Sequence, residues 1–374
     1  MFTKNIWRFA SILVILALVA ACGTTQTQTP TPTQAPTSPT VSNPTQVPPT
    51  VIPVVPTSPT VSNPTELKFA LIIAGTLENP WDHSWMDSFE RVEQQKPHGL
   101  TLSVDYTENV WDNFDQVVRT YADTHKYGII WCNSSYADLV AKIKDDYPNI
   151  LFVVTGSGNK GLGGNGYWIY KRIFEPAYLE GIIAGKMTKT NILGAVATYP
   201  YDDVNDVING FIDGAKSVNP NVQYKVSFIQ SWYDPVKAGE ATYAQIAAGA
   251  DFILQLGQAY DACNEKNVYC FGNYTDSNYL APNVIITSQV ADWDPDINYV
   301  IDQWWDHTVN GKPYAASLTP VWFSMKQGGA ELAPYHNFEG KLPQDVVNLV
   351  EQKKQDIMSG SFVVPLRLES PVTP

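Results

Sequence analysis

The chain has 374 residues, with 37 acidic against 24 basic side chains and a formal charge of −13. At about 150 residues per domain, that length implies two compact units once a tail is set aside. An acid excess of this size repels phosphate backbones and anionic lipid surfaces, which argues against nucleic acid as a partner. The aromatic share of 12%, with 11 Trp, 20 Tyr and 14 Phe, exceeds what aliphatic core filling needs, so some rings are expected to face a ligand.

Residues 1–22 read as a signal peptide: Lys4 and Arg8 form a basic start, and 10–21 is an apolar run too short to span a bilayer comfortably. Its end, Val19-Ala20-Ala21-Cys22, resembles a bacterial lipobox, so Cys22 is the expected site of lipidation and membrane tethering. Residues 23–65 hold 11 of the 27 prolines and no charge, and a ten-residue unit at 36–45 recurs at 56–65. Such a segment buries too little apolar surface to offset ordering and is expected to be a disordered stalk. Cys132, Cys263 and Cys270 remain, an odd number without C-x-x-C, which argues against zinc. Cys263 and Cys270 either close a small loop, with Cys132 in a strand, or stay as thiols.

From Glu66 the texture changes. Residues 67–75 form an apolar run ending in Gly, expected for a strand buried on both faces. A helix around 84–96, strand 101–107, helix 111–125, strand 127–133, helix 136–145 and strand 150–155 follow. An extended stretch at 167–172 precedes a helix at 176–188. The alternation restarts with strand 192–198, helix 203–217, strand 222–230, helix 235–248 and strand 251–257. A short helix then leads to strand 268–272. Two successive βα runs predict two doubly wound parallel-sheet lobes, 66–190 plus 292–326 and 191–291 plus 327–374, around one ligand cleft. Ligands in such sheets sit beyond the carboxyl ends of the strands, so the loops there are the place to look.

Several motifs fall short. Gly156-Ser-Gly158-Asn-Lys-Gly161 has dinucleotide-binding spacing, but Leu162-Gly-Gly-Asn-Gly-Tyr167 cannot begin the helix that chemistry needs. Asp292-Trp-Asp294-Pro-Asp296 begins like a calcium loop yet places Ile297 and Gln303 at the glycine and glutamate positions; Asp294 is the expected cap of a helix starting at Pro295. The histidines at 83, 98, 125, 307 and 336 show no metal spacing, and neither a P-loop nor a G-x-S-x-G elbow is present. Asp202-Asp203 reads as a solvated loop. Nothing here supports catalysis, a cofactor or a metal.

What stands out is aromatic and polar residues on cleft loops. Trp81 and Trp85 follow the first strand; Asn133, Ser134, Ser135 and Tyr136 follow the third. Trp232, Gly257, Gln258 and Asp276 follow strands of the second lobe. A tryptophan from each lobe is placed to sandwich a flat heterocycle while amide, hydroxyl and carboxylate groups read its edge.

The stretches Glu180-Gly-Ile-Ile-Ala-Gly-Lys-Met187, 208–220, Ser231-Trp-Tyr-Asp-Pro235, 248–253, Tyr279-Leu-Ala-Pro282 and Lys326-Gln-Gly-Gly329 together resemble the basic membrane protein family of lipoprotein substrate-binding proteins for ABC transporters. The resemblance runs from Leu67 to about Pro365. It implies a type I periplasmic-binding fold that closes on its ligand, with ABC permease and ATPase partners; a two-lobed protein of this kind is expected to act as a monomer. It implies purine nucleosides or nucleobases as cargo, with riboflavin in some branches. It also places Trp81 and Trp232 on the base, with Asp276, Gly257 and the Ser134–Tyr136 loop around it. The usual D-x-S-F-N run is Asn79-Pro-Trp-Asp-His-Ser-Trp85 here, and Ala291 stands where nucleoside-binding members tend to carry a lysine. The expected ligand is therefore a nucleobase, adenine-like, with a nucleoside or riboflavin as the alternative; a sensing receptor without a transport role would share the pocket.

Overall fold

A computed structural model of the chain describes residues 63–371. The signal peptide, Cys22 and the stalk up to residue 62 lie outside the described residues. The described part falls within one compact unit, Val61–Pro374, and carries two six-stranded sheets.

The first sheet contains β1 (Glu66–Ile73), β2 (Thr101–Thr107), β3 (Ile129–Asn133), β4 (Leu151–Val154), β5 (Gly166–Lys171) and β11 (Val321–Phe323), in the order β11-β5-β4-β3-β1-β2, all parallel. The second contains β6 (Ile192–Ala197), β7 (Gln223–Phe228), β8 (Phe252–Gln255), β9 (Tyr269–Tyr274), β10 (Ile285–Ala291) and β12 (Ala330–Leu332), in the order β12-β10-β9-β8-β6-β7. Five of these are parallel; β12 runs antiparallel to β10. β1 shows why such strands read as apolar runs. Phe69 to Ile73 are all buried, because helices cover both faces of a parallel sheet.

Helices α1 (Pro80–Gln95), α2 (Phe114–Ala122) and α3 (Ala137–Ile143) connect strands of the first sheet. The chain then crosses at Arg172–Ile173. The next helix, α4 (Phe174–Met187), packs along α5 (Asp202–Val218) and α9 (Gln344–Ser359), on the second sheet's side. The sequence-based limit of 190 thus falls one helix late. Gly181 and Gly214 explain the close α4–α5 approach, since an added Cβ would lie 2.0 Å from a carbonyl oxygen of the facing helix at either position. α6 (Pro235–Ala247) and α7 (Tyr260–Lys266) complete the second lobe. A second crossing at 292–293 leads to α8 (Asp294–Thr308), which packs on α1, and a third follows β11. α8 starts at Asp294, one residue earlier than expected, and the carboxylate receiving the Asp294 N–H is that of Asp292, at 3.0 Å. The strand β12 and the helix α9 were not anticipated from sequence.

The crossings are pinned by buried charge. Lys171 Nζ, at the end of β5, pairs with Asp296 Oδ2 at 2.6 Å and donates to the Asp292 carbonyl at 2.6 Å. Both side chains are fully buried, and burial lowers the lysine pKa while raising that of Asp296 to about 6. Arg172 pairs with Glu175, whose other oxygen accepts the Met325 N–H at 2.8 Å, tying the first crossing to the third.

Cys132, Cys263 and Cys270 are buried free thiols. Cys132 lies in β3 as expected. Cys263 on α7 and Cys270 on β9 are not joined as a disulfide. Among the described residues no helix is long and apolar enough to cross a membrane.

Candidate functional site

A narrow cavity of about 40 Å³ lies where the carboxyl ends of the two sheets face each other, the place where ligands of such sheets bind. Of the ten expected residues, Trp81, Asn133, Ser134, Ser135, Trp232 and Gln258 line it.

The first-lobe wall follows from how α1 begins. Asn79 caps the helix, its Oδ1 accepting the Trp81 N–H at 3.1 Å, and Pro80 takes the first helical position. That start puts Trp81 and Asp82 on the opening turn, against the cavity. The Trp81 ring packs against Tyr170 (5.3 Å between centroids), Tyr274 (4.8 Å) and Trp293 (4.5 Å). Trp293 is itself fixed: its Nε1 donates to Ser84 Oγ at 2.9 Å and Lys171 Nζ lies 4.0 Å from its ring.

Asp82 is almost fully buried. Its Oδ1 accepts from Asn133 Nδ2 at 2.6 Å; Asn133 Oδ1 accepts from Thr155 Oγ1 at 2.6 Å, which accepts from Trp131 Nε1 at 2.9 Å. This chain fixes the amide's orientation and leaves Asp82 Oδ2 without a protein partner among the described residues. Asn79 Nδ2 is likewise unused. Both sit beside Gly75, where an added Cβ would lie 3.9 Å from Asp82 Oδ2 and 4.0 Å from Asn79 Nδ2. Burial raises the Asp82 pKa well above the ordinary carboxylate range, against the lowering effect of Asn133.

The second lobe contributes Thr198, Leu256, Gln258, Trp232, Tyr274 and Asp203. Trp232 is half-buried, edge-on to Tyr199 at 5.0 Å and tilted against Tyr201 at 5.7 Å. Asp203 overturns the solvated-loop reading. It is buried at the start of α5 and accepts bonds from two first-lobe donors, Ser157 Oγ at 2.5 Å and Tyr170 OH at 3.3 Å. Burial raises its pKa to about 7 despite those donors. Beside it Asp202 accepts the Gly158 N–H at 3.1 Å, so the glycine loop after β4 serves as a latch between the lobes.

Four expected residues do not line the cavity. Trp85 is fully buried under the cleft, stacked on Phe89 at 5.2 Å. Tyr136 stacks on Phe114 and donates to the Val110 carbonyl at 2.5 Å, which holds the loop carrying Ser134 and Ser135. Gly257 is a packing glycine: its added Cβ would meet Ala238 Cβ at 2.9 Å. Asp276 is paired with His336 Nε2 at 2.6 Å and faces a neighbouring crevice. Tyr170, Asp203 and Tyr274 were not among the expected site residues, and Asn79 and Asp82 stood in the flagged run 79–85 without being assigned as contacts. Tyr170 and Tyr274 sit at or next to the ends of β5 and β9, a position that itself signals the cleft.

The cavity holds aromatic faces, two carboxyl groups and no lysine or arginine among its lining residues. It suits a flat ligand with N–H donors and disfavours phosphates and carboxylates.

Two closable α/β lobes around one such cavity define a solute-binding protein. Residues 67–365 match the family model described as "Bmp: ABC transporter substrate-binding protein PnrA-like". The chain belongs to this family, whose members work outside the cytoplasm with a small-molecule ligand and ABC permease and ATPase partners. It is 29% identical over 303 residues to a purine-binding protein of Brucella abortus (strain 2308), covering 79% of this chain and 82% of that one. A nucleoside-binding protein, BmpA of Lactococcus lactis subsp. cremoris (strain MG1363), is 25% identical over 213 residues, 51% and 58% of the two chains. An ABC transporter solute-binding protein from Aeropyrum pernix K1 shares the fold with a TM-score of 0.67 at 18% identity, over 80% of this chain and 94% of that structure.

Proposed function

We propose that the protein captures a purine nucleobase, adenine-like, between its lobes and delivers it to an ABC importer. The observation that carries this reading is two polar groups at Gly75, Asp82 Oδ2 and Asn79 Nδ2, which lie 3.9 Å and 4.0 Å from where a Gly75 Cβ would stand, form no bond within the described protein and belong to residues lining an aromatic-walled cavity. A base edge with an N–H beside a ring nitrogen complements that pair, and adenine presents one at its amino group. Oxopurines present N–H beside a carbonyl, so both kinds belong in any comparison. Stacking on Trp81 and Trp232 supplies apolar contact. Ala291, buried on β10 opposite Ala330 of β12, brings no cation toward a sugar. The binding protein performs no chemistry in this reading; closure follows from contacts the ligand makes better with both lobes than with one.

In the same reading, Cys22 carries the lipid anchor, ahead of the Pro/Thr/Ser-rich segment 23–65. Cys22→Ser should release the protein from the membrane fraction.

The test is direct. Protein purified without added ligand is denatured, and the small molecules it releases are identified by mass spectrometry. A purine base is expected; a sugar, amino acid or riboflavin in its place contradicts the reading.

A further inference from the structure

Among the described residues, Tyr274 is the one residue that lines both the ligand cavity and a second crevice of about 350 Å³. That crevice lies between α1 and the ends of β9 and β10, lined by Asp87, Thr275, Asp276 and Ala291 among others. Tyr274 borders both spaces. Its backbone is unusual: φ is +64°, a left-handed conformation that a tyrosine rarely adopts, and the Thr275 N–H closes a tight turn on the Asn273 carbonyl at 2.8 Å. The ring is pinned edge-on to Trp81 at 4.8 Å, and Val290 is its cross-strand neighbour. Strain retained at a ligand cavity points to a side chain whose position matters.

We propose that Tyr274 sets the size limit of the ligand, closing the cavity around a free heterocyclic base and excluding a base that carries a pentose. The proposal rests on the nucleobase reading above and deepens it. A substituent on a base stacked against Trp81 needs room beyond the cavity. Toward the other side, Ser135 borders a surface groove, but the Ser157–Asp203 and Gly158–Asp202 bonds span that gap when the lobes are closed. Toward the crevice, Tyr274 is the lining residue that the two spaces share. Of the four carboxylates beyond it, Asp276 is held by His336 and Asp292 by Arg91, while Asp87 and Glu331 also line the space. Exclusion by a steric wall also separates base from nucleoside without weakening any contact to the base.

The experiment is calorimetric titration of the ligand-stripped protein with adenine and adenosine. It compares wild type with Tyr274→Gly, which suits the positive φ, Tyr274→Asn, which tolerates it with a smaller side chain, and Tyr274→Phe, which keeps the ring. Wild type and Tyr274→Phe should prefer the base by roughly a hundredfold or more, while the Gly and Asn variants should cut that preference at least about tenfold, chiefly by gaining adenosine affinity. Wild-type binding of adenosine as tight as adenine overturns the proposal. So do folded Gly and Asn variants that bind adenine yet still reject adenosine. If wild type binds no purine at all, the nucleobase reading falls and takes the wall with it. Base binding with unchanged discrimination removes the wall alone.

Discussion

Asp82 Oδ1 lies 2.6 Å from Asn133 Nδ2, and that bond decides which carboxylate oxygen faces the ligand cavity. Asn133 is thereby used up by the protein: one end holds Asp82, the other accepts from Thr155. It is a positioning residue, although the sequence offered it as a contact. Asn133→Ala should weaken ligand binding by roughly 5- to 150-fold, the effect of ~1–3 kcal/mol for a buried polar group left unsatisfied. Thr155→Val, one step further back, should produce a smaller loss of the same kind. Titration calorimetry on both variants checks this, and a Thr155 effect larger than the Asn133 effect contradicts the chain of bonds.

Among the described residues, the aromatic neighbours of Trp232 are Tyr199 and Tyr201, and the ring stays half-buried. Trp232→Ala should therefore melt close to the parent while losing ~1–3 kcal/mol of stacking on a base. A normal affinity in that variant would mean the ring is not part of the site.

The Asp203 carboxyl has its pKa raised to about 7 by burial, from an ordinary 3.8. The folded form holds this proton where the unfolded chain has released it. Its contribution to stability is full below pH ~4 and is lost as pH rises through about 7. Asp203→Asn should flatten the fall in thermal stability between those limits relative to wild type, measured as melting temperature against pH. Identical profiles for the two proteins contradict this.

Lys171 and Asp296 sit fully buried where two crossings meet. Lys171→Met leaves a carboxylate without its partner and should cost about 3–5 kcal/mol. Lys171→Met combined with Asp296→Leu should recover most of that loss, read from urea denaturation midpoints. A double variant as unstable as the single one would show that the site needs the charges themselves.

The alternation of strands and helices was legible because buried parallel strands leave apolar runs such as 67–73, and the fold class followed from it. Lobe membership was less legible: α4 belongs to the second lobe through glycine contacts with α5, which no local pattern in 174–187 reveals. In the candidate site, residues beyond the strands such as Trp81, Ser134 and Trp232 and the strand-end Asn133 were found, whereas the strand-end aromatics Tyr170 and Tyr274 were not. Tyr170 and Tyr274 look like core aromatics until the opposite lobe is in place. Trp85 erred the other way, since one turn of α1 separates a cleft residue from a core residue. Asp203 looked solvated because its burial comes from Ser157 and Tyr170, far away in sequence.

The most direct test of the central claim is a thermal-shift panel on ligand-stripped protein with adenine, guanine, hypoxanthine, their nucleosides, riboflavin, ribose, glucose and amino acids. A ligand at 100 times its dissociation constant stabilises by about 2.7 kcal/mol, enough to read in the melting temperature. The account predicts a shift with free purine bases, adenine foremost, and little with nucleosides or non-purines. Stabilisation by a sugar, an amino acid or riboflavin, with none from any purine, would contradict it.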